Sequence, residues 1–520
     1  MKELPTYDYV LLGSGPTALA ALRKLPIHSR IVVIDRGLEV PDEVKIAQNK
    51  FRESISSHNK YRGVDSVEPL NEKSTFDVKT YWGSDFLYKD INGNLPFESQ
   101  ALGGFTKVWG ATCFPASLRV LNRLTRESRI DYSREISELE GYIDISWAQE
   151  SAECYSPSSS NNNFLMKRNT FYSNLGRSGK LTGPKGTLFW EQTRLAISMT
   201  SQSKSLDMKI GCVNCGMCQL GCPYGLSWDS SYAMKHEINI RESHYIIGDV
   251  KKIYECNKKV VVTFKEGDRE SQIMGKRFLF TGGTLSTSKI LINSNIMIQD
   301  KIHDSQTVAI LGISLKGRSV MKDFNNVTFP EMSFLYQDKA HEIAIQLYSL
   351  NTYIADRISK FLAMLMFRLK VVNWIIQRFF FIGLLYFDSN LSGSISIDKT
   401  GLNAHQGNIR ESKKMFSQVK SLLRKKSLYI LPISRNFKVG GGYHFMGNYF
   451  PADTWSNEQA LFRRGFTKLT KLGGLSSNSR IHLVDGSVQG FLPTGSVTLN
   501  SMAFTSILVK RIVDFDHLES

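Results

Sequence analysis

Two apolar runs stand near the amino terminus, Tyr9-Val10-Leu11-Leu12 and Ile31-Val32-Val33-Ile34. Runs of four apolar residues without a polar interruption fit strands buried on both faces, as in a parallel sheet. The stretch between them, Pro16 through Leu25, is rich in Ala and Leu and predicts a helix, so the order is strand, helix, strand. Further along, Glu331 to Tyr336, Glu342 to Tyr348 and Gly393 to Ile397 read as strands of a second sheet. Between them lies a block of different character. Phe361 to Phe367, Trp374 to Ile376 and Phe379 to Leu385 are apolar, but Arg368, Lys370, Asn373, Gln377 and Arg378 break the run. Charges at the centre of a bilayer are costly, which excludes a spanning helix. The block predicts a pair of aromatic, basic, amphipathic helices, which either lie on a membrane surface or cap a pocket or partner interface. Ser156 to Ser160 with Asn161 to Asn163 reads as a surface loop.

The turn between the first strand and helix is Gly13-Ser14-Gly15-Pro16-Thr17-Ala18, a G-x-G-x-x-A sequence. Its first glycine permits the tight turn, its second lets the backbone approach a pyrophosphate, and the helix amino terminus directs free N–H groups at the anion. Asp35 follows the second strand, where a carboxylate can accept from a ribose hydroxyl. Strand, loop, helix, strand and acid in this order predict a dinucleotide site.

Cys212, Cys215, Cys218 and Cys222, followed by Pro223, form a C-x2-C-x2-C-x3-C-P run like that with which bacterial ferredoxins hold an iron–sulfur cluster. Zinc fits less well, because its ligands usually come as two separated pairs. A relic of the motif without metal is the third reading. A complete 4Fe-4S site needs all four thiols of the loop or a further ligand from Cys113, Cys154 or Cys256, and a 3Fe-4S cluster is the alternative.

The chain has 520 residues, 42% hydrophobic, enough for two to four domains with real cores. No secretory leader is evident at its start, and a cytoplasmic protein is expected, peripheral on the inner membrane face if the apolar block binds lipid. The net charge of +17 favours anionic partners, while the scatter of basic residues argues against nucleic acid.

Three further segments, Gly103-Gly104-Phe105-Thr106-Lys107-Val108-Trp109-Gly110, Thr281-Gly282-Gly283-Thr284, and His482-Leu483-Val484-Asp485-Gly486-Ser487, resemble those of the glucose-methanol-choline (GMC) oxidoreductases in order and spacing. The resemblance implies an α/β fold with an α+β substrate domain. A discontinuous Rossmann-like FAD-binding domain is formed by 1–115, 205–305 and 436–520, and a sheet-and-helix substrate domain by 116–204 and 306–435. It places Gly13, Gly15, Pro16, Thr17, Ala18, Asp35, Gly103, Gly104, Thr106, Trp109, Gly110, Gly282, Gly283, Asp485, Gly486 and Val497 at FAD. Relatives with covalently held flavin carry histidine where this chain has Val108, so FAD is expected to bind non-covalently. Gly441 to Gly447 resembles the strand with the family's active-site histidine, which makes His444 the expected base. Its partner is Ser496 or Asn500, and a serine there would be a departure from the family pattern. The implied reaction is oxidation of a CH–OH group on an alcohol, sugar or polyol, with polysaccharide biosynthesis one setting. Electrons would pass by way of the cluster to an acceptor protein or quinone. A reductase or desaturase of a sterol-like or isoprenoid substrate, and a non-catalytic electron-transfer subunit, are the other readings.

Overall fold

The computed structural model describes residues 4–39, 84–86, 96–107, 109–113, 116–117, 119–120, 132–142, 175, 178–193, 195–196, 222, 225, 227–296, 299–316, 330–350, 364–365, 368–436, 439–440, 442, 444–447, 450–451, 468–469, 479–489 and 492–519. The chain is a mixed α/β protein built on three principal sheets. Among the described residues no helix is long and apolar enough to cross a membrane.

The first sheet orders its strands His244–Ile247, Ile31–Asp35, Thr6–Leu12 and Arg269–Phe280, all parallel. Both apolar runs of the amino terminus lie in its centre, and Val10, Leu11, Val32, Val33 and Ile34 are wholly buried. Besides Thr6–Leu12, the twelve-residue strand Arg269–Phe280 has two further partners. Its first half pairs antiparallel with Lys259–Glu266, the middle of a meander that begins at Asp249–Cys256, and its last residues pair in parallel with Ile481–Leu483. Helices Pro16–Lys24 and Thr498–Glu519 bury Ala18, Leu19, Leu22, Met502, Phe504 and Leu508 in the core of this sheet. Arg277, itself buried, pairs with Asp516, which also accepts from the Tyr9 hydroxyl at 2.9 Å. The carboxy-terminal helix is thereby fixed to the first strand.

The second sheet is antiparallel throughout, in the order Leu428–Asn436, Thr307–Ser314, Phe380–Phe387, Glu342–Ser349, Met332–Gln337, Thr187–Gln192, Ser178–Thr182. Alternation assigns its faces. Ile343, Ile345, Leu347, Phe334 and Leu385 point to a core that the helix Ile409–Arg424 closes with Met415, Val419, Leu422 and Leu423. Ser333, Ala344 and Gln346 point the other way, into a cavity.

Two expectations are corrected. The last part of the apolar block is not helical: Phe380–Phe387 is a strand inside the second sheet, and it follows directly on the helix Lys370–Phe379. An apolar run with Gly383 in its middle pairs on both edges, where a side chain at 383 would collide with Ile310. The strand predicted at Gly393 to Ile397 exists as Ser394–Asp398, but belongs to a separate four-stranded sheet with Leu402–His405, Gln299–Asp304 and Phe445–Gly447. Ile395 and Ile397 pack there with Leu285 and Ile292 of the helix Thr284–Asn293. The predicted loop at 156–163 lies outside the described residues.

Candidate functional site

Four segments far apart in sequence meet at the carboxyl end of the parallel strands. Gly13 has φ +87°, and a side chain there would come within 2.9 Å of the Gly282 Cα, so the two backbones touch in a way only glycines allow. The Thr281 hydroxyl donates to Leu12 O at 2.5 Å and the Thr17 hydroxyl to Thr281 O at 2.9 Å, which clamps the first turn to the third segment. Ser14 Oγ donates to Asp35 and accepts from Gly103 N–H at 2.9 Å, bringing in the end of the second strand and the 103–110 segment. Burial raises the Asp35 carboxyl to about 6 despite that hydrogen bond. Thr106 and Ser230 bond to one another and to Gly103 O, Lys107 pairs with Asp229, and Trp109 Nε1 donates to Trp228 O at 2.9 Å. The 103–110 turn is thus held against the helix Ser230–Ile240. The fourth segment joins through Asp485, whose carboxylate accepts from Gly283 N–H at 2.9 Å, Thr287 Oγ1 at 2.7 Å and Ser487 N–H at 2.9 Å. Burial raises the pKa of Asp485, and these three donors oppose the shift.

At the middle of this convergence the protein leaves room. Among the described residues, a Cβ placed on Gly15 would meet no atom within 4 Å, nor would one on Gly283. Both glycines immediately precede helices, Pro16–Lys24 and Thr284–Asn293, so each open position lies at a helix amino terminus. Gly104 sits across from Gly15, its Cβ position 3.6 Å from the Gly15 Cα.

A cavity of about 510 Å³ lies between the second sheet and the segment Thr494 to Ser496. Ser117, Ser178, Ser333, Thr494 and Ser496 line it together with Gln346, the aromatic Phe189 and two charged residues, Lys180 and Glu191. Glu342, buried behind the wall, organises it: one carboxylate oxygen accepts from Ser117 Oγ at 2.7 Å and Gln337 Nε2 at 2.8 Å, the other from Thr494 Oγ1 at 3.4 Å. Its burial raises its pKa.

The two candidates for the histidine's partner have different places. Ser496 is part of the cavity wall. Asn500, one helical turn later, is buried behind it: Oδ1 accepts from Ala116 N–H at 2.8 Å and Nδ2 donates to Ser496 O at 3.0 Å. Both functional groups of Asn500 are therefore used to brace two wall residues. Val497 is half-buried at the start of the last helix, and Gly486 fits against Met446 Sδ and Thr284 Oγ1, each 3.0 Å from its Cβ position.

His444 immediately precedes the strand Phe445–Gly447, which packs on the 486–488 turn so closely that a Cβ on Gly447 would overlap Ser487. Its carbonyl accepts from Ser305 N–H at 3.0 Å, and neighbouring Asp304, wholly buried, accepts from Gly440 N–H at 2.7 Å. Desolvation pushes Asp304 up to about 7 and the His444 imidazole down to about 4. The ring is neutral at pH 7, and its Nδ1 is enclosed without a hydrogen-bond partner. His444 does not line the cavity but connects to it. Tyr386 stacks on the imidazole with centroids 5.9 Å apart, Tyr386 and Tyr348 share a hydrogen bond, and Tyr348 donates to Gln346 Oε1 at 2.8 Å. Gln346 Oε1 is thereby occupied, which leaves its Nε2 donors for the cavity.

Gln346, Tyr348, Tyr386 and Glu342 were not among the residues singled out in the sequence. The signal was present in the alternation of Glu342–Ser349, where polar or aromatic residues at even positions interleave with Ile343, Ile345 and Leu347. Of the cysteine run, only the half-buried Cys222 is described, and Cys212, Cys215, Cys218, Cys154 and Val108 lie outside the described residues. Cys113 is buried and Cys256 exposed. Among the described residues no group of three or more His, Cys, Asp or Glu is placed to hold a metal ion. No protein-family model and no curated protein matches the chain.

Proposed function

We propose that the chain is an FAD-dependent oxidoreductase that converts a CH–OH group of a polyhydroxylated substrate to a carbonyl. The observation that carries this reading is the meeting of Gly13 to Ala18, Asp35, Gly103 to Gly110, Gly282 to Gly283 and Asp485 around the vacant space over Gly15. The residues fit a dinucleotide. Helix amino termini and bare glycine backbone suit the pyrophosphate, and Asp35 at the end of the second strand suits a ribose hydroxyl, as in a Rossmann-like domain. Bound there, FAD would supply the acceptor for the hydride.

The remaining work falls to side chains. His444, held neutral, is the base that the resemblance implies for the hydroxyl proton; it stands outside the cavity wall, so this role requires the reacting hydroxyl to reach beyond the wall to the imidazole. Tyr386 fixes the ring plane, and Gln346 and Ser496 offer donors and acceptors that orient substrate hydroxyls in the cavity. A lining of hydroxyl-bearing residues, an amide, Lys180 and Glu191 beside Phe189 favours a sugar or polyol over a sterol-like substrate. The apolar strand Phe380–Phe387, which would have suited an isoprenoid lid, is committed to the second sheet. The cysteine run offers a route for electrons toward a protein or quinone acceptor. Anaerobic titration of the flavin-loaded protein with a panel of sugars, polyols and simple alcohols tests the reading. Bleaching of the flavin by a polyol with formation of the carbonyl product is expected, and a flavin left oxidised by every saturated alcohol would overturn it.

A further inference from the structure

The helix Lys370–Phe379 turns apolar side chains outward as well as inward. Its inner side is ordinary: Ile376 and Gln377 are buried, and Val372 packs on a small cluster with Leu350 and Ile382. Its outer stripe, at spacing i, i+3, i+4, is Val371, Trp374 and Ile375, which are 69%, 46% and 42% exposed. Leu369, just before the helix, is 49% exposed. One turn beyond Trp374 the Arg378 guanidinium lies 5.1 Å from its ring centroid. Along the sequence, the charge flanking this stripe has one sign. From residue 357 to 387 the sequence contains Arg357, Lys360, Arg368, Lys370 and Arg378 and no Asp or Glu.

We infer that this helix seats the protein on a bilayer surface containing anionic phospholipid. An apolar stripe with Trp at its centre, rimmed by basic groups, matches the boundary between acyl chains and phosphates, where indole and β-branched side chains insert and cations meet headgroups. A protein partner fits less well. A ten-residue helix is about 15 Å long, and its stripe is far smaller than the roughly 800 Å² per side of a stable protein interface. Lipid needs no such area, because it conforms to the helix and because each basic residue near an anionic surface raises partition about fivefold. This inference goes beyond the proposed oxidoreductase activity and does not depend on it, since the docking face lies on the second sheet's flank and uses no residue of the cavity wall.

The test is flotation of the full-length chain with phosphatidylcholine vesicles, with and without phosphatidylserine. Binding is expected only with phosphatidylserine and should weaken at least about tenfold when salt shortens the screening length from about 30 Å to about 3 Å. Val371→Ser with Trp374→Ser should weaken it by a similar factor while the thermal melt stays in place, since both side chains are exposed. Arg368→Glu with Lys370→Glu, which keeps the stripe intact, should remove the preference for phosphatidylserine. Equal binding to both vesicles, no binding at low salt, or a dimer that Trp374→Ser dissolves would each overturn the inference, the last assigning the face to a second copy of the chain.

Discussion

Asn500→Ala separates bracing from catalysis in the residue pair that the sequence left open. Asn500 is 3% exposed and makes two hydrogen bonds, accepting from Ala116 N–H at 2.8 Å and donating to Ser496 O at 3.0 Å. Truncation leaves a backbone N–H and a carbonyl without partners at two positions that are themselves 5% and 7% exposed. An unsatisfied buried group costs about 1–3 kcal/mol, so the loss for the two should be about 2–6 kcal/mol in all, read as a lower urea midpoint at unchanged m. Because Ala116 and Ser496 line the cavity, KM for the substrate should rise, while the rate of flavin reduction at saturation should fall much less. Asn500→Asp adds a sign. The new carboxylate oxygen would face Ser496 O, so protonation is favoured in the fold and the variant's deficit should grow as pH rises above about 4. An Asn500→Ala protein of wild-type stability that no longer reduces its flavin would refute the reasoning and make Asn500 the histidine's partner in catalysis.

His444→Ala should keep FAD and slow flavin reduction at least about a hundredfold, and the wild-type rate should hold down to about pH 4 because burial keeps the ring neutral; a break near 6.5 in the pH profile would show a solvated imidazole instead. Asp304 holds its proton up to about 7 in the fold against 3.8 ordinarily, so it lowers stability as pH rises through that window. Asp304→Asn should gain on the wild type by roughly 4 kcal/mol between pH 4 and 7 in paired urea titrations, and a constant difference would contradict this. Cys215→Ser or Cys218→Ser should remove iron, measured by metal analysis, and leave flavin in place; iron-free wild-type protein with full activity would end the relay proposal.

The parts of the fold that are local were legible in the sequence. Tyr9 to Leu12, the glycine turn and Ile31 to Ile34 form strand, turn and strand because each is specified by neighbours a few residues away. The strand Phe380–Phe387 was not, since an apolar run buried on both sides carries no period to distinguish it from a helix. The alternation of Ser394–Asp398 announced a strand but not its sheet, which depends on where Ile395 and Ile397 find Leu285 and Ile292, a contact across more than a hundred residues. Asp304 and Glu342 could not be told from surface acids. Only the fold shows that Asp304 positions the loop before His444, and that Glu342 ties Ser117 to Thr494 across the cavity wall.

Gly15→Val tests the dinucleotide site itself. Gly15 has φ −68° and ψ −178°, which valine adopts readily, and among the described residues no atom beyond its chain neighbours lies within 4 Å of the added Cβ. The fold should therefore tolerate the substitution, with a melt close to that of the wild type, while the new side chain fills the space in which the pyrophosphate would approach the backbone. FAD released by acid precipitation and measured by its absorbance should reach about one equivalent per wild-type chain and fall to background in the variant. A stable Gly15→Val protein that retains FAD as the wild type does would contradict the account.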